Sequence, residues 1–146
     1  MIIDDAFDID APLERVWPVL KDVPRVATCI PNAEITEIVD DTTYRAKVSM
    51  KVGPVSVGYK ATIKIASMDD ATHTAILDVS GDELKGRGGV KAQITMHAEG
   101  AGSKTHATLH SDAQVSGMIA TVGGRLIESV ARKTTAEFAK NLTALL

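Results

Sequence analysis

The amino-acid sequence predicts an α+β fold: a curved antiparallel sheet of about seven strands around one long C-terminal helix, with two short helices after the first strand. Three observations predict it. Apolar residues fall at every second position through most of the stretch from 43 to 115. Ahead of that stretch, residues 13–20 repeat at three- and four-residue spacing, with prolines close behind. From residue 118 to the end the helical spacing returns and holds for about seven turns.

The elements follow in order. Ile3, Phe7 and Ile9 share one side of an opening strand with Asp5, opposite Asp4, Ala6 and Asp8. Pro12, tolerated in the first turn, starts a helix through Lys21 on Leu13, Val16, Trp17 and Leu20, with Asp10 or a neighbouring polar group as its cap. Pro24 punctuates, residues 25–30 make a second short helical turn, and Pro31 ends it. Residues 33–39 form a strand of ambiguous facing, because Glu37 sides with Ile35 and Val39 while Ile38 points away.

The strands that follow alternate cleanly. One side carries Tyr44, Ala46, Val48, Met50 and Val52, and after the Gly53-Pro54 turn Val55, Val57, Tyr59, Ala61, Ile63 and Ile65. Asp69-Asp70 turns into a fifth strand on Ala75, Leu77 and Val79. A glycine-rich loop from Gly81 to Gly89 reads as a flexible flap at a cavity mouth. Val90, Ala92, Ile94, Met96 and Ala98, then Ala107, Leu109, Ala113 and Val115, complete the sheet. The final helix is expected over 118–145, ~42 Å long, with an apolar stripe from Ile119 through Val122, Leu126, Val130 and Phe138 to Leu145. Gly123-Gly124 inside it costs about 1 kcal/mol per glycine against alanine, so tight strand packing or a bound molecule must compensate.

Composition narrows the function. At 146 residues the chain reads as one domain, residues 1–146, with no linker or repeat. A net charge of −3 excludes bulk nucleic-acid binding, and the lysine-bearing strands lack interleaved aromatics. The single cysteine, Cys29, excludes an internal disulfide. There is neither a signal-peptide pattern nor an apolar run of ~20 residues, so a cytoplasmic location is expected. Aromatics are 3% of the chain, which leaves an interior of thin aliphatic side chains and favours an unfilled cavity.

The clearest strands place no ionisable group on their apolar faces, which argues against catalysis; Asp5, near a strand start, reads as a solvated carboxylate. Tyr59 is the one interior-facing hydroxyl singled out, either a donor to a ligand carbonyl or a packed ring with its hydroxyl at the rim. His97, His106 and His110 read as solvated surface histidines, with no metal. Gly86-Arg87-Gly88-Gly89 lacks the lysine and helix start of a phosphate loop. Arg45, Lys47, Lys51, Lys60, Lys64, Lys85, Arg87 and Lys91 fall in two acid-poor stretches, and most face outward. They make either a solvated lysine face or a docking surface for anionic lipid or an acidic partner.

Seven stretches in this order are similar to one family. They are Val16-Trp17 with Leu20, Pro31-Asn32-Ala33, Lys51-Val52-Gly53-Pro54-Val55, Gly86-Arg87-Gly88-Gly89, Val115-Ser116-Gly117, Gly123-Gly124-Arg125-Leu126-Ile127, and Phe138. Together they resemble the carbon monoxide dehydrogenase CoxG family of the START-like (SRPBCC, helix-grip) superfamily across essentially the whole chain. The family has glycine where this chain has Asn32, a residue that also tolerates turns. Many members continue in a variable tail that aids membrane attachment. This chain ends at Leu146, which is read either as an absent tail or as a trimmed one.

The resemblance implies a non-catalytic protein that accompanies a carbon monoxide dehydrogenase-type molybdenum enzyme, brings it to the inner face of the membrane, and binds a quinone, menaquinone or ubiquinone, with no covalent cofactor. The expected lining is Trp17, Met50, Val57, Tyr59, Ile63, Leu77, Ile94, Met96, Met118, Val122 and Leu126. The competing expectations are a START-like cyclase or hydrolase, which needs a buried acid–base pair, and an assembly factor with a filled core.

Overall fold

The computed structural model describes residues 1–146. Strand β1 (Ile2–Ile9) leads to helices α1 (Leu13–Leu20) and α2 (Val23–Thr28). Strands β2 (Ala33–Asp40), β3 (Thr43–Val52), β4 (Val55–Asp69), β5 (Thr74–Glu83), β6 (Gly89–Ala101) and β7 (Lys104–Val115) follow. A 3-10 turn (Gly117–Val122) precedes helix α3 (Gly124–Leu145). The seven strands form one antiparallel sheet in the order β1-β7-β6-β5-β4-β3-β2. Consecutive strands from β2 onward pair through short hairpins, and β1 closes on β7, the last strand.

Local chemistry explains the boundaries. Asp22 caps α2 by accepting from the Arg25 backbone N–H, with Pro24 in the first turn. Pro12 itself is the residue ahead of α1, and no side chain caps that helix, so the expected cap from Asp10 does not form. Strand β2 contains two register shifts, which is why its facing does not follow a simple alternation. A third shift, between Ile65 and Ser67 on β4, turns Met68 toward the first core cluster, and the strand ends at Asp69, at the expected turn.

Two further expectations are corrected. The final helix begins at Gly124, not at residue 118. Gly123 holds φ +90°, a left-handed conformation that separates the 3-10 turn from α3. The 22 residues of α3 span ~33 Å. The paired glycines therefore sit at a break and its first turn, not inside a helix that must absorb their cost. The second correction concerns the glycine-rich flap. Strand β5 runs on to Glu83, so the connection to β6 shrinks to residues 84–88.

Helix α3 lies along β1 and runs in the same direction. Met1 lies beside Gly124, Arg132 Nη1 donates to the Asp4 carbonyl, and the rings of Phe7 and Phe138 meet edge to face at 5.5 Å. At its other flank, Leu126 lies against Gly53 in the β3–β4 turn, where an added Cβ would collide with it. The far end is tied down by Asn141, whose amide donates to the Cys29 carbonyl.

The packed core falls into two parts. One joins Phe7, Ile9, Val16, Trp17, Val19, Leu20 and Cys29 with Phe138 and Leu142. The other joins Val52, Val57, Tyr59 and Ile119, with Met50, Val122, Leu126, Ile127 and Val130 against it. Small side chains (Ala75, Ala98 and Ala107) floor the first cluster and make room for the aromatic rings.

Candidate ligand-binding site

Between the two clusters, the strand register lines up two rows of interior-facing residues. One runs Tyr44, Ile63, Val79, Ala92 and Ala113 across β3 to β7. The other runs Ile65, Leu77, Ile94 and Ser111 to Ile3 on β1. All ten are half-buried, and none belongs to either packed cluster. These mostly aliphatic side chains on the inward face of the sheet join neither packed end, so the middle of that face is the less tightly packed part of the interior and the candidate place for an apolar ligand.

The expected lining distributes over this geometry. Ile63, Leu77 and Ile94 form the floor. Val57 and Tyr59 are buried at one end wall, with Met50, Val122 and Leu126 packed against them. Met96 stands at the opposite end, against the first cluster. Two expectations change. Trp17 lies within that first cluster; its indole N–H donates to Asp70 Oδ1 at 2.8 Å and its ring meets His73 edge to face. Met118 is 37% exposed on the 3-10 turn, and its neighbour Ile119 is the buried one. Ser111 is an addition to the floor, and its parity with Leu109 and Ala113 is the signal that places it there.

Three distinct clefts lie away from these rows. A cleft of about 450 Å³ lies on the outer face of the sheet between Lys64, Asp78, Lys91 and Asp112. A second, of about 560 Å³, lies beside the 84–88 loop, and a third, of about 490 Å³, lies under α1 near Trp17. The first two are walled mostly by polar residues and glycine, whereas the third also carries Leu13, Trp17 and Pro18.

One interior charge escapes the alternation pattern. Glu83 continues the inward parity of Ala75, Leu77 and Val79, is 5% exposed, and pairs in register with Tyr59. Its carboxylate accepts from Arg87 Nε at 2.7 Å and from the backbone N–H groups of Lys85 and Arg87. The Arg87 hydrogen bond, helped by those two amides, holds the Glu83 carboxyl at about 2, far below its ordinary value, despite burial. Arg87 Nη2 also donates to the Ser56 carbonyl, and the Arg87 carbonyl accepts from Met118 N–H. The glycine-rich loop is thus a stitched closure tying β5 to the 3-10 turn.

Tyr59 is 5% exposed, and burial, followed by the Glu83 charge, raises its phenol above the ordinary value while Arg87 pulls the other way. Every sealed side-chain polar atom in the protein has a hydrogen-bond partner. The Tyr59 hydroxyl takes part in no protein hydrogen bond, so it keeps contact with open space.

Asp5 stands 3.8 Å from Arg132 at the seam between β1 and α3, and its own carboxylate accepts from Ala6 N–H. Its ionic neighbour is a guanidinium, which does not exchange protons near neutral pH. His97, His106 and His110 lie outward and pair with Glu99, Asp8 and Asp4. No three potential metal ligands come together.

The outward basic residues are less uniform than their positions along the chain imply. Strand pairing sets Lys47 opposite Glu34, Arg45 opposite Glu37, Lys60 opposite Asp82 and Lys64 opposite Asp78. Lys91 faces Ser80 and Gln114, and Arg87 is bound to Glu83. Of these eight only Arg87 makes an ion pair, and Lys51 and Lys85 lie at the end of the molecule that carries exposed Leu84 (51%) and Met118. No helix is long and apolar enough to cross a membrane.

A curved antiparallel sheet gripping a long C-terminal helix, with two short helices after the first strand, defines a START-like domain. Solved structures share it. A conserved protein from Geobacillus kaustophilus superposes with a TM-score of 0.87 at 23% identity, covering 99% of this chain and 93% of that one. A START superfamily protein from Mycobacterium smegmatis gives 0.62 at 14%, covering 98% and 94%. The Zhui aromatase/cyclase from Streptomyces sp. R1128 gives 0.66 at 15%, covering 99% and 92%. No curated protein sequence matches the chain. The family model for CoxG, a carbon monoxide dehydrogenase component, matches residues 6–146, and the chain belongs to that family.

Proposed function

We propose that this protein is a non-catalytic carrier of an apolar small molecule, a respiratory quinone such as menaquinone or ubiquinone. In this reading it couples a carbon monoxide dehydrogenase-type molybdenum enzyme to the inner face of the membrane. The observation that carries the reading is the pair of half-buried rows on the sheet floor, ending at an unpartnered Tyr59 hydroxyl. Apolar area withdrawn from water contributes ~25 cal/mol per Å², so an isoprenoid tail along Ile63, Leu77 and Ile94 needs no charged anchor. A quinone carbonyl accepts one hydrogen bond, which Tyr59 supplies. The family supports the partner enzyme. Leu84 and Met118 beside Lys51 and Lys85 fit shallow contact with an anionic bilayer.

The enzymatic reading has one observation in its favour, the register pairing of Tyr59 with Glu83, on a fold whose solved examples include an aromatase/cyclase and a norcoclaurine synthase. Glu83 is a poor general base, since three donors occupy it and its carboxyl titrates at about 2. Native mass spectrometry of the protein from its own host, followed by lipid extraction, tests the carrier reading. A stoichiometric quinone is expected. A protein that arrives empty and fails to bind added quinone ends the proposal.

A further inference from the structure

The carrier reading leaves open which end groups the interior accepts, and the inward end of β5 bears on that. Tyr59 and Glu83 are direct partners across β4 and β5, both face the interior, and both are buried. Tyr59, the one hydroxyl-bearing side chain of the second core cluster, therefore stands next to a fixed negative charge. That charge is balanced from the loop side: Arg87 gives Nε to Glu83 and Nη2 to the Ser56 carbonyl, so the guanidinium is committed to the closure. The other elements around Tyr59 add no cation. Val48 lies opposite it on β3, the 3-10 turn contributes Ile119, and Leu126 is the nearby helical residue in the same cluster. Lys60 follows Tyr59 in the chain and projects outward.

Resting on the carrier reading, we infer that the Tyr59 end receives an uncharged head group that accepts a hydrogen bond, and that Glu83 makes this end reject anionic amphiphiles such as fatty acids. A carboxylate there would accept from Tyr59 while facing the Glu83 carboxylate, with no uncommitted cation to offset the repulsion. A neutral carbonyl accepts the same hydrogen bond without that penalty. Burial is the first cause of the raised Tyr59 phenol, and the Glu83 charge adds to it more than Arg87 offsets. The carboxylate that locks the loop is therefore also the selectivity element of the pocket. Its three loop-side hydrogen bonds keep it charged across the whole physiological range.

The test compares two probes of one chain length, methyl dodecanoate and dodecanoate, by calorimetric titration of the delipidated full chain at pH 7. The ester is expected to bind at least roughly tenfold more tightly in the native sequence, and Glu83→Gln is expected to reduce that ratio to about threefold or less. A ratio unchanged in a folded Glu83→Gln variant overturns the inference, as does equal binding of the two probes to the native chain. Should Glu83→Gln not fold, Tyr59→Phe serves. It should weaken the ester about fivefold, and an unaltered ester affinity would overturn the assignment of Tyr59 as donor. If neither probe binds the native chain, nor a decyl-substituted benzoquinone, the carrier reading falls and takes this inference with it.

Discussion

Glu83 joins three roles in one side chain: it ends the inward face of β5, closes the 84–88 loop, and sits beside the Tyr59 hydroxyl. Its carboxyl titrates at about 2 in the folded protein, below the ordinary 4.5. A carboxylate whose folded value is depressed stabilises the fold above the unfolded value and loses that contribution as pH falls through the folded one. The melting temperature should therefore fall between pH 4.5 and about 2, and Glu83→Gln should flatten part of that fall. A variant whose pH profile overlays the native one would show that the ion pair is not coupled to folding. Elsewhere in the core, Leu142 is fully buried where α3 meets the first cluster. Leu142→Ala should destabilise by about 2–5 kcal/mol in denaturant unfolding, through lost burial and the cavity left behind.

The closure between β5 and β6 works as an element because two glycines allow backbones to touch. Gly88 and Gly117 both have positive φ, and a Cβ on either would strike the backbone of the other's segment, Ser116 from Gly88 and Arg87 from Gly117. Met118 N–H donates to the Arg87 carbonyl and Ser116 N–H to the Gly89 carbonyl, which completes the stitch. Gly117→Ala should separate the loop from the 3-10 turn and lower stability by more than the ~1–3 kcal/mol of backbone strain alone. Gly102→Ala shares a positive φ but meets open space, so it should show only the strain. Equal losses for the two variants, measured by denaturant unfolding, would count against a packed closure.

For the molecule as a whole, two packed ends and a looser, half-buried middle make a separable prediction. Ile94→Trp should fill the floor between β5 and β7 and cut quinone binding by tenfold or more, roughly 1.4 kcal/mol, with the fold retained by circular dichroism. Undiminished binding would place the ligand elsewhere, with the outer cleft between Lys64 and Lys91 the next location to examine. At the loop end, replacing both Leu84 and Met118 with Asp should abolish sedimentation with phosphatidylglycerol vesicles while leaving quinone binding in detergent unchanged. Persistence of vesicle binding would assign membrane contact to another surface.

Periodicity alone determined which stretches are strands, their succession along the chain and the presence of the long C-terminal helix, because a side-chain repeat of two or 3.6 is a local property written into successive residues. Ile63, Leu77 and Ile94 could be assigned to one face for the same reason. What tertiary structure decided was every feature that depends on residues far apart in the chain. Glu83 is hard to see in the sequence because its glycine-rich surroundings read as loop, and only pairing with β4 extends β5 that far. Trp17 has the spacing of a lining residue, yet its hydrogen bond to Asp70, far along the chain, locks it into the core. Arg45, Lys47, Lys60 and Lys64 look unopposed until register sets Glu37, Glu34, Asp82 and Asp78 across from them. The break at Gly123 cannot be told from a costly helical glycine, since a backbone dihedral of +90° leaves no mark on residue type beyond glycine itself. The loosely packed middle is legible only in kind, from thin side chains and a single spanning helix. Its position was set by where α3 comes down, along β1 and at the β3–β4 turn.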